Sequence, residues 1–457
     1  MNISGVQPDL AVLADHEPRR SETGIGALMP WANRLWMVTY VAHTKETGAG
    51  TGLFWLDVDD EGRITRTKHP ESRVGTYANR IIHRESNQLF IGPHAIDIRG
   101  NVRTIDELVD TRLAATARHL EDPEHKVYVL GMEGELFEVD VESLEVTKLF
   151  DLLSDLEISD KPHFKDAYTD HGRLVVVNNS YYPADWERGE SDGRLAEWDG
   201  STWRTIERTQ YNTVTGRCEG DLGRAIYAVG QDRASALLSV YLPATGWRRY
   251  RLPKATHTQD HAWTTEWPRI REIESERWLM DASGMFYEMP AMTYGDALRG
   301  LVPVSRHLRI VGDYCTWRGM LVMAGDQTTP IHDSNPFVGQ PQANLWFGKS
   351  DDLWSFGTPA GWGGPWWDAD VRAGEPSDPF LFYGFRDRGL HVSHDGDQPL
   401  SLRIELDFTG TGEFHRYDTV TTSDGYAATT FPAGLAAHWV RLVPERDATV
   451  TAQFYYA

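Results

Sequence analysis

The sequence predicts an all-β protein. Residues 1–389 are expected to form a seven-bladed β-propeller that carries the active site, and residues 390–457 a small C-terminal antiparallel β-sandwich. Two observations predict this fold. A short strand-like run recurs seven times, at intervals of roughly 40 to 55 residues, close to the spacing of propeller blades. After Phe380 the repeat gives way to alternating segments that are typical of half-buried strands.

Each cycle of the repeat contains the pattern of four strands. The recurrent runs begin at Arg34, Gln88, Lys126, Arg173, Arg224, Arg277 and Gly319. An apolar partner follows each run, a more polar third segment follows in most cycles and suits an outer edge strand, and a further segment precedes each run. Four-stranded sheets repeated around an axis form a β-propeller, whose first strands line the central channel. A two-sheet β-solenoid is the alternative, but its rungs would be shorter and more uniform.

The C-terminal segments alternate strictly. The stretch LSLRIELDF places five apolar residues on one face: Leu400, Leu402, Ile404, Leu406 and Phe408. The segments HWVRLVPER and TVTAQFYY repeat the theme after Gly and Pro turns. These segments predict the sandwich.

The charge excludes some partners. Lys and Arg number 45 against 67 Asp and Glu, which gives a net charge of −22. An acidic chain without a basic cluster repels nucleic acid and anionic membranes, so neither is an expected partner. No apolar run approaches the roughly 20 residues that span a bilayer. The first twenty residues lack a secretory pattern, which predicts a cytoplasmic protein, whereas the oligomeric state is not predicted.

Histidines are the first candidates for chemistry. In a propeller, the loops that lead into the first strands and those that join second to third strands open on one face, the usual binding site. Three such loops are long, after Val41, Val177 and Ala324. Histidines expected on the loops of this face are His43, His94, His163, His257, His261 and His332, and His83 and His119 fall on predicted first strands. Histidine is the commonest general acid or base; the alternative is that each is a solvated loop residue or a satisfied core group.

Basic residues on the predicted first strands form a second group. They are Arg80, Arg118, Lys165, Arg217, Arg269 and Arg271. A buried unpaired charge is costly, so these side chains need partners. Ion pairs between blades, with Glu266 and Glu272 as partners, are one explanation, and capture of a substrate carboxylate is the other.

Aromatic residues offer platforms for sugar rings. Trp36 and Trp267 are expected to pack between blades, whereas Tyr181, Tyr182, Trp366 and Trp367 are expected in loops as ligand contacts. Common catalytic motifs are absent: there is no GxSxG, P-loop, helix-opening GxGxxG or HExxH. Spacing alone also singles out no glycosidase carboxylate pair.

Four phrases carry a family resemblance: YANRIIHRESNQLFIGPHAID (77–97), TARHL (116–120), LPKATHTQDHAWTTEWPRIRE (252–272) and AGEPSDPFLFYGF (373–385). In these phrases, and over nearly the whole chain, the sequence resembles the seven-bladed β-propeller L-rhamnose-α-1,4-D-glucuronate lyases and the related propeller exo-rhamnosidases. The resemblance implies β-elimination that removes a terminal L-rhamnose from a uronic-acid-containing oligosaccharide. The alternatives are an exo-acting glycoside hydrolase on the same or another glycan cap, and a non-catalytic propeller that binds a glycan or a protein.

The implied chemistry assigns roles to the candidates. Elimination at a uronate requires neutralisation of the carboxylate, a base for the C5 proton and an acid for the leaving oxygen. The acid and base candidates are His43, His83, His94 and His119. The expected substrate-binding residues are Asn79, Arg80, Arg118, Asn179, Arg217, His257, His261 and Trp366. No cofactor is required. By analogy with other propeller lyases a structural Ca²⁺ is a further hypothesis, with pore-facing histidines or Asp313 as ligands, although no EF-hand-like loop is present.

Overall fold

The computed structural model describes residues 5–6, 12–13, 22–41, 52–73, 75–159, 162–180, 192–217, 224–256, 268–275, 277–290, 293, 297–328 and 342–457. In these residues the protein is all-β. The helical segments described are one turn, Leu152–Asp155 (α1), and the 3-10 turns Asp106–Leu108 and Ser350–Ser355. In the described residues, no helix has the length and apolar character needed to cross a bilayer.

The strands before residue 349 fall into successive groups. The N-terminal strands are Gly5–Val6 (β1) and Val12–Leu13 (β2). The next two groups are Glu22–Trp31 (β3), Arg34–Val41 (β4), Leu53–Val58 (β5), Ile64–Lys68 (β6); and Arg80–His83 (β7), Gln88–Ile91 (β8), His94–Asp97 (β9), Val102–Thr104 (β10). Two more are Leu113–Arg118 (β11), Lys126–Gly131 (β12), Glu135–Asp140 (β13), Val146–Asp151 (β14); and Phe164–Asp170 (β15), Arg173–Asn178 (β16), Arg194–Trp198 (β17), Trp203–Glu207 (β18). The last are Gln210–Gly216 (β19), Ile226–Gln231 (β20), Ala236–Leu242 (β21), Gly246–Leu252 (β22); Arg269–Glu274 (β23), Arg277–Ala282 (β24), Met285–Met289 (β25), Val302–Arg306 (β26); and Tyr314–Trp317 (β27), Met320–Thr328 (β28), Gln342–Gly348 (β29).

Each group pairs antiparallel in chain order, with one exception. The last group has three strands of its own, and β1 from the N-terminus takes the fourth place beside β29, with Gly5 opposite Phe347. Strand β28 also pairs with β3, which joins the last group to the first. The recurrent runs seen in the sequence coincide with the second strands β4, β8, β12, β16, β20, β24 and β28, so these predicted strands are confirmed.

The first strands surround an axis. They contact one another in succession, β3 with β7, then β11, β15, β19, β23 and β27, and β27 contacts β3. Neighbouring first strands run parallel, as the bridge between Tyr77 and Leu113 shows. Repeated four-stranded sheets arranged in this way are a β-propeller. All first strands therefore begin at one end of the ring, called here the amino-terminal end.

Tight turns join several first and second strands. Ala32 and Asn33 link β3 to β4, and both have positive φ, 49° and 64°. His171 and Gly172 do the same between β15 and β16, with φ of 51° and 69°. Two central residues of positive φ are the signature of the type I′ turn, whose twist matches that of the flanking strands.

The C-terminal strands form two sheets over one core. Their bounds are Gly361–Val371 (β30), Phe380–Leu381 (β31), Arg388–His394 (β32), Ser401–Asp407 (β33), His415–Thr421 (β34), Tyr426–Thr430 (β35), Trp439–Pro444 (β36) and Ala448–Tyr456 (β37). One sheet has the order β30-β37-β32-β35, and the other, β31-β36-β33-β34, extends the sheet of β22 through β31. Phe380 stacks on Phe454 with ring centroids 5.1 Å apart.

Two details differ from expectation. Strand β30 pairs with β37, so the C-terminal sheets begin at Gly361 rather than at residue 390. The pairing of Gly361–Val371 is interrupted twice, and its apolar and polar residues do not alternate strictly. The segment therefore lacks the period-two pattern that predicts a strand. In the 400–408 stretch, Leu400 to Leu406 are buried as predicted, but Phe408 is 63% exposed because β33 ends at Asp407.

Candidate functional site

The first strands begin with irregular pairing. Bulges interrupt the register of β3, β11, β15 and β19, and the residues left between paired positions are Gly26, Ala114, Lys165 and Asn212. A bulge changes the direction of a side chain and bends the strand, and bulges are common beside active sites. In two of these strands the bulged residue is polar and buried, Lys165 with 1% exposure and Asn212 with none.

Asp313 lies where four groups of strands meet. Its Oδ2 accepts hydrogen bonds from Arg80 Nε at 2.6 Å and from the Leu28 backbone N–H at 2.8 Å. Its Oδ1 accepts from Arg271 Nε at 2.9 Å. Burial alone would raise the pKa of this carboxyl, but Arg271 and Arg80 hold the pKa far below its usual value. Asp313 is therefore a charged, fully buried carboxylate that ties β3, β7, β23 and the start of β27 together.

Arg269 extends this group of charges. It is 1% exposed, and its Nε and Nη1 donate to backbone oxygens of Gly312 and Pro268, both at 3.2 Å. Burial, followed by the positive charge of Arg271, lowers the pKa of Arg269 to about 10, against an opposing contribution from Asp166. Asp313 opposes this lowering as Asp166 does, and Arg80 adds to it.

The axial cluster is defined here as Arg80, Lys165, Asp166, Arg269, Arg271 and Asp313. Asp166 follows the bulge at Lys165, and its Oδ2 accepts from Thr213 Oγ1 at 2.6 Å. Among these described residues four are cationic and two are anionic, in a chain whose net charge is −22. For Arg80 and Arg271 the ion-pair explanation holds, but the partner is Asp313 rather than Glu272, and Glu266 lies outside the described residues.

Two buried amide atoms lie at the same end of the ring. Asn79 Nδ2 donates to Gly92 O and Thr116 Oγ1, and Asn179 Nδ2 donates to Asn212 Oδ1. Within the part of the chain that the structure describes, Asn79 Oδ1 and Asn212 Nδ2 have no hydrogen-bond partner. Buried polar atoms without a partner are uncommon. A ligand hydroxyl can donate a hydrogen bond to an amide oxygen and accept one from an amide nitrogen, so it would satisfy both atoms.

His83 and His119 lie at the opposite end of their strands. His83 ends β7, with Nδ1 2.7 Å from Ser86 Oγ and Nε2 2.8 Å from Pro123 O. His119 follows β11, and its Nε2 lies 2.9 Å from Glu138 Oε2. Arg80 and His83 are separated by roughly 10 Å, the length of this short strand. The structure therefore does not bring these two histidines to the axial cluster.

The two remaining basic candidates also lie at the carboxyl ends of first strands. Arg118 ends β11 and pairs with Glu85, and Arg217 follows the last residue of β19. The expectation that they join Arg80 at one carboxylate site is corrected by the strand direction: the start and the end of a first strand face opposite ends of the ring.

His94 begins β9 at the amino-terminal end but is fully buried. Its Nδ1 lies 3.2 Å from Thr104 Oγ1. Burial, together with the charges of His69 and Arg73, lowers the pKa of His94 to about 3. The ring is thus neutral near pH 7 and cannot act as an imidazolium acid.

We expect His94→Gln to make the protein less sensitive to acid. In the wild type the unfolded chain binds a proton at His94 below about pH 6.5 and the folded chain does not, which costs about 1.4 kcal/mol per pH unit down to pH 3. Between pH 7 and pH 5 the unfolding free energy of the wild type should fall by about 2 kcal/mol more than that of the variant. Urea unfolding at both pH values measures this. His125→Gln, at an exposed histidine, is the control, and equal slopes for wild type and His94→Gln would contradict the prediction.

The aromatic candidates lie in different parts of the structure. Trp36 is fully buried in one apolar cluster with Leu89 and Phe90 of the next group of strands, as expected of a residue that packs between blades. Trp366 and Trp367 lie on β30 in the C-terminal sheet rather than in a loop of the ring. The following candidates lie outside the described residues: His43, His257, His261, His332, Tyr181, Tyr182 and Trp267.

The hypothesis of a calcium site at Asp313 does not fit this arrangement. Both oxygens of Asp313 accept hydrogen bonds from arginines, and Ca²⁺ would have to bind beside those two positive charges. In the described ranges, no group of three or more His, Cys, Asp or Glu side chains is placed to hold a metal ion.

Comparisons with known proteins add little to this geometry. No protein-family model and no curated protein matches the chain. Among solved structures, a luciferin-regenerating enzyme is similar at 8% identity with a TM-score of 0.33, over 76% of this chain and 93% of that one. The β-propeller domain of Cps50 (Swd1) from Myceliophteria thermophila is similar at 12% identity with a TM-score of 0.38, over 70% of this chain and 96% of that one.

Proposed function

We propose that the protein is a seven-bladed β-propeller enzyme that removes terminal L-rhamnose from a uronic-acid-containing oligosaccharide by β-elimination. The observation that carries the proposal is the set of buried basic side chains in the axial cluster: Arg80 and Arg271 pair with Asp313, Arg269 lies beside them, and Lys165 is buried on β15. Guanidinium and ammonium groups bind carboxylates through charge-assisted hydrogen bonds, and the carboxylate of a uronic acid is such a ligand. The cyclic contacts of the seven first strands support the blade count.

The substrate carboxylate binds beside Lys165 and Arg269 in this proposal. Arg80 and Arg271 are paired with Asp313, so they fix the geometry of the site and add positive charge beside it. Neutralisation of the carboxylate makes the C5 proton more acidic, which is the electrostatic part of the elimination. Asn79 Oδ1 and Asn212 Nδ2 supply an acceptor and a donor for ring hydroxyls.

His163 is the proposed proton acceptor: it takes the C5 proton, the C4–O4 bond breaks as the C4–C5 double bond forms, and the imidazolium then gives the proton to the leaving rhamnose oxygen. His163 is buried, and it precedes Lys165 by two residues at the amino-terminal end of β15. Its backbone N–H donates to Asn178 Oδ1 at 2.7 Å, which fixes the main chain at this point. Imidazole is suited to take a proton near neutral pH. His94 is a weaker base, because burial lowers its pKa to about 3.

Hydrolysis of the same linkage is the second candidate reaction. A glycosidase requires two carboxyl groups on either side of the bond, one protonated and one ionised. The axial cluster has Asp166 and Asp313, but Asp313 is held ionised by two arginines and is fully buried. Elimination, which requires no such pair, therefore fits this site better.

A direct assay tests the proposal. The protein is incubated with a rhamnosyl-glucuronate oligosaccharide, and free rhamnose is followed together with the ultraviolet absorbance of a conjugated unsaturated uronate. We expect both signals to appear together. Rhamnose without absorbance would show hydrolysis instead of elimination. If neither signal appeared, this substrate class would have no support and a non-catalytic binding protein would be favoured.

A further inference from the structure

A cavity lies between the ring and the C-terminal sheets. Its volume is about 470 Å³, and it is lined by the turn after β20, the end of β22, and strand β30. Cavities of this size are typical of small-molecule sites. It does not include any residue of the axial cluster, and it contains Trp366, which the sequence had placed with the substrate site.

Two consecutive tryptophans line this cavity. Neighbouring residues of a regular strand point to opposite faces of a sheet, so Trp366 and Trp367 would ordinarily not line the same cavity. Strand β30 is irregular here: its pairing with β37 shifts before and after Trp366, and Asp368 has a positive φ of 46°. The irregular backbone places both indoles at the same cavity, and such local distortion is found where a side chain has to be re-aimed.

Arginine and aspartate side chains form the polar wall. Every arginine that lines the cavity has a carboxylate partner. The pairs are Arg208–Glu157 at 3.1 Å, Arg233–Asp368 at 3.3 Å, Arg249–Asp378 at 2.8 Å and Arg251–Asp378 at 2.8 Å. Arg249 also pairs with Glu207 and Arg251 with Asp232, so the four arginines are paired with five carboxylates in all. The wall thus provides fixed donors and acceptors without a demand for an anion.

Asp378 and Arg233 are placed to meet a ligand. Asp378 Oδ2 accepts from Nε of both Arg249 and Arg251, and the side chain stays 24% exposed. The Arg233 guanidinium lies over the Trp367 ring, 4.8 Å from its centroid, which holds the indole in place. A pre-ordered aromatic face beside charge-paired donors and acceptors suits a pyranose, which has an apolar C–H face and a rim of hydroxyls.

We propose that this cavity is a second saccharide-binding site, which takes a neutral pyranose against Trp366 and Trp367 and hydrogen-bonds its hydroxyls to the arginine–aspartate wall. The site is separate from the proposed reaction at the axial cluster. Its function is to hold a sugar unit without cleaving it, because its carboxylates are all paired with arginine.

The test measures binding without turnover. The full chain is applied to an array of short neutral and uronic-acid-containing oligosaccharides, and the affinity for retained sugars is then measured by calorimetry. We expect at least one neutral oligosaccharide to bind, and Trp367→Ala and Trp366→Ala to weaken that binding by about tenfold or more. Trp354→Ala is the matched control, because Trp354 is 56% exposed and does not line the cavity.

The outcomes separate this site from the axial one. Binding lost in the Trp366 and Trp367 variants but kept in Lys165→Met supports a second site, whether or not the protein cleaves its sugar. Overturning results are an array on which no neutral oligosaccharide binds, and neutral binding that both tryptophan variants retain. Retention of uronates alone would equally overturn the proposal. Circular dichroism of each variant verifies that it is folded.

Discussion

Asp313→Ala is expected to lower the free energy of unfolding by about 3–5 kcal/mol, the range for removal of one partner from a buried ion pair. The change leaves two arginines without their carboxylate, and their side chains are only 12% and 18% exposed for Arg80 and Arg271. It also removes the acceptor of the Leu28 N–H. Urea unfolding of wild type and variant measures the difference.

Two further variants make the Asp313 result specific. Asp313→Asn keeps the shape of the side chain and the acceptor for Leu28 but removes the charge. It should therefore lower the free energy of unfolding strongly, but less than Asp313→Ala does. Asp397→Ala changes an exposed aspartate and should leave stability within about 0.5 kcal/mol. A loss below about 1 kcal/mol for Asp313→Ala would show that the pairs contribute little to holding the ring together.

Lys165→Met is expected to lower kcat/KM on a rhamnosyl-glucuronate oligosaccharide by about a hundredfold or more, since loss of one donor aimed at developing charge costs about that much. Lys165 is 1% exposed on the bulge of β15, next to Asp166 of the axial cluster. Methionine has a similar length and suits a buried position, so the fold should persist while the positive charge is lost. Initial rates over a range of substrate concentrations measure the change.

The control for Lys165 is another buried lysine. Lys254 is 2% exposed, and its Nζ donates to the backbone oxygen of Asp232, away from the axial cluster. Lys254→Met should retain near wild-type kcat/KM. If Lys165→Met is as active as Lys254→Met, the axial cluster is not the place where the substrate carboxylate binds.

The strands were predictable from sequence because their signal is local. The recurrent apolar runs identify the second strands, which are buried on both faces and therefore read as continuous hydrophobic segments. Strand β30 was not, because its Gly-Gly-Pro and Trp-Trp-Asp segments interrupt any period. The positions of Trp366 and Trp367 were missed for the same reason.

The site was only partly predictable because it depends on contacts between distant residues. Position on a first strand was enough to select Arg80, Lys165, Arg269 and Arg271 as candidates, and the structure places Arg80 and Arg271 together at Asp313. Nothing local indicated that Asp313 would accept from Arg80 233 residues away, or that His83 would face away from Arg80 on the same short strand. The bulges at Lys165 and Asn212 likewise have no sequence pattern of their own.

The pairing of β1 with β29 bears on how the chain folds. Gly5 lies opposite Phe347, so β1 is synthesised well before the group of strands with which it pairs. Loop-closure entropy must be overcome before so distant a contact contributes any stability. The groups between them, each built from neighbouring hairpins, can form beforehand as separate units. We therefore expect closure of the ring to be a late step of folding, slower than the formation of any single sheet.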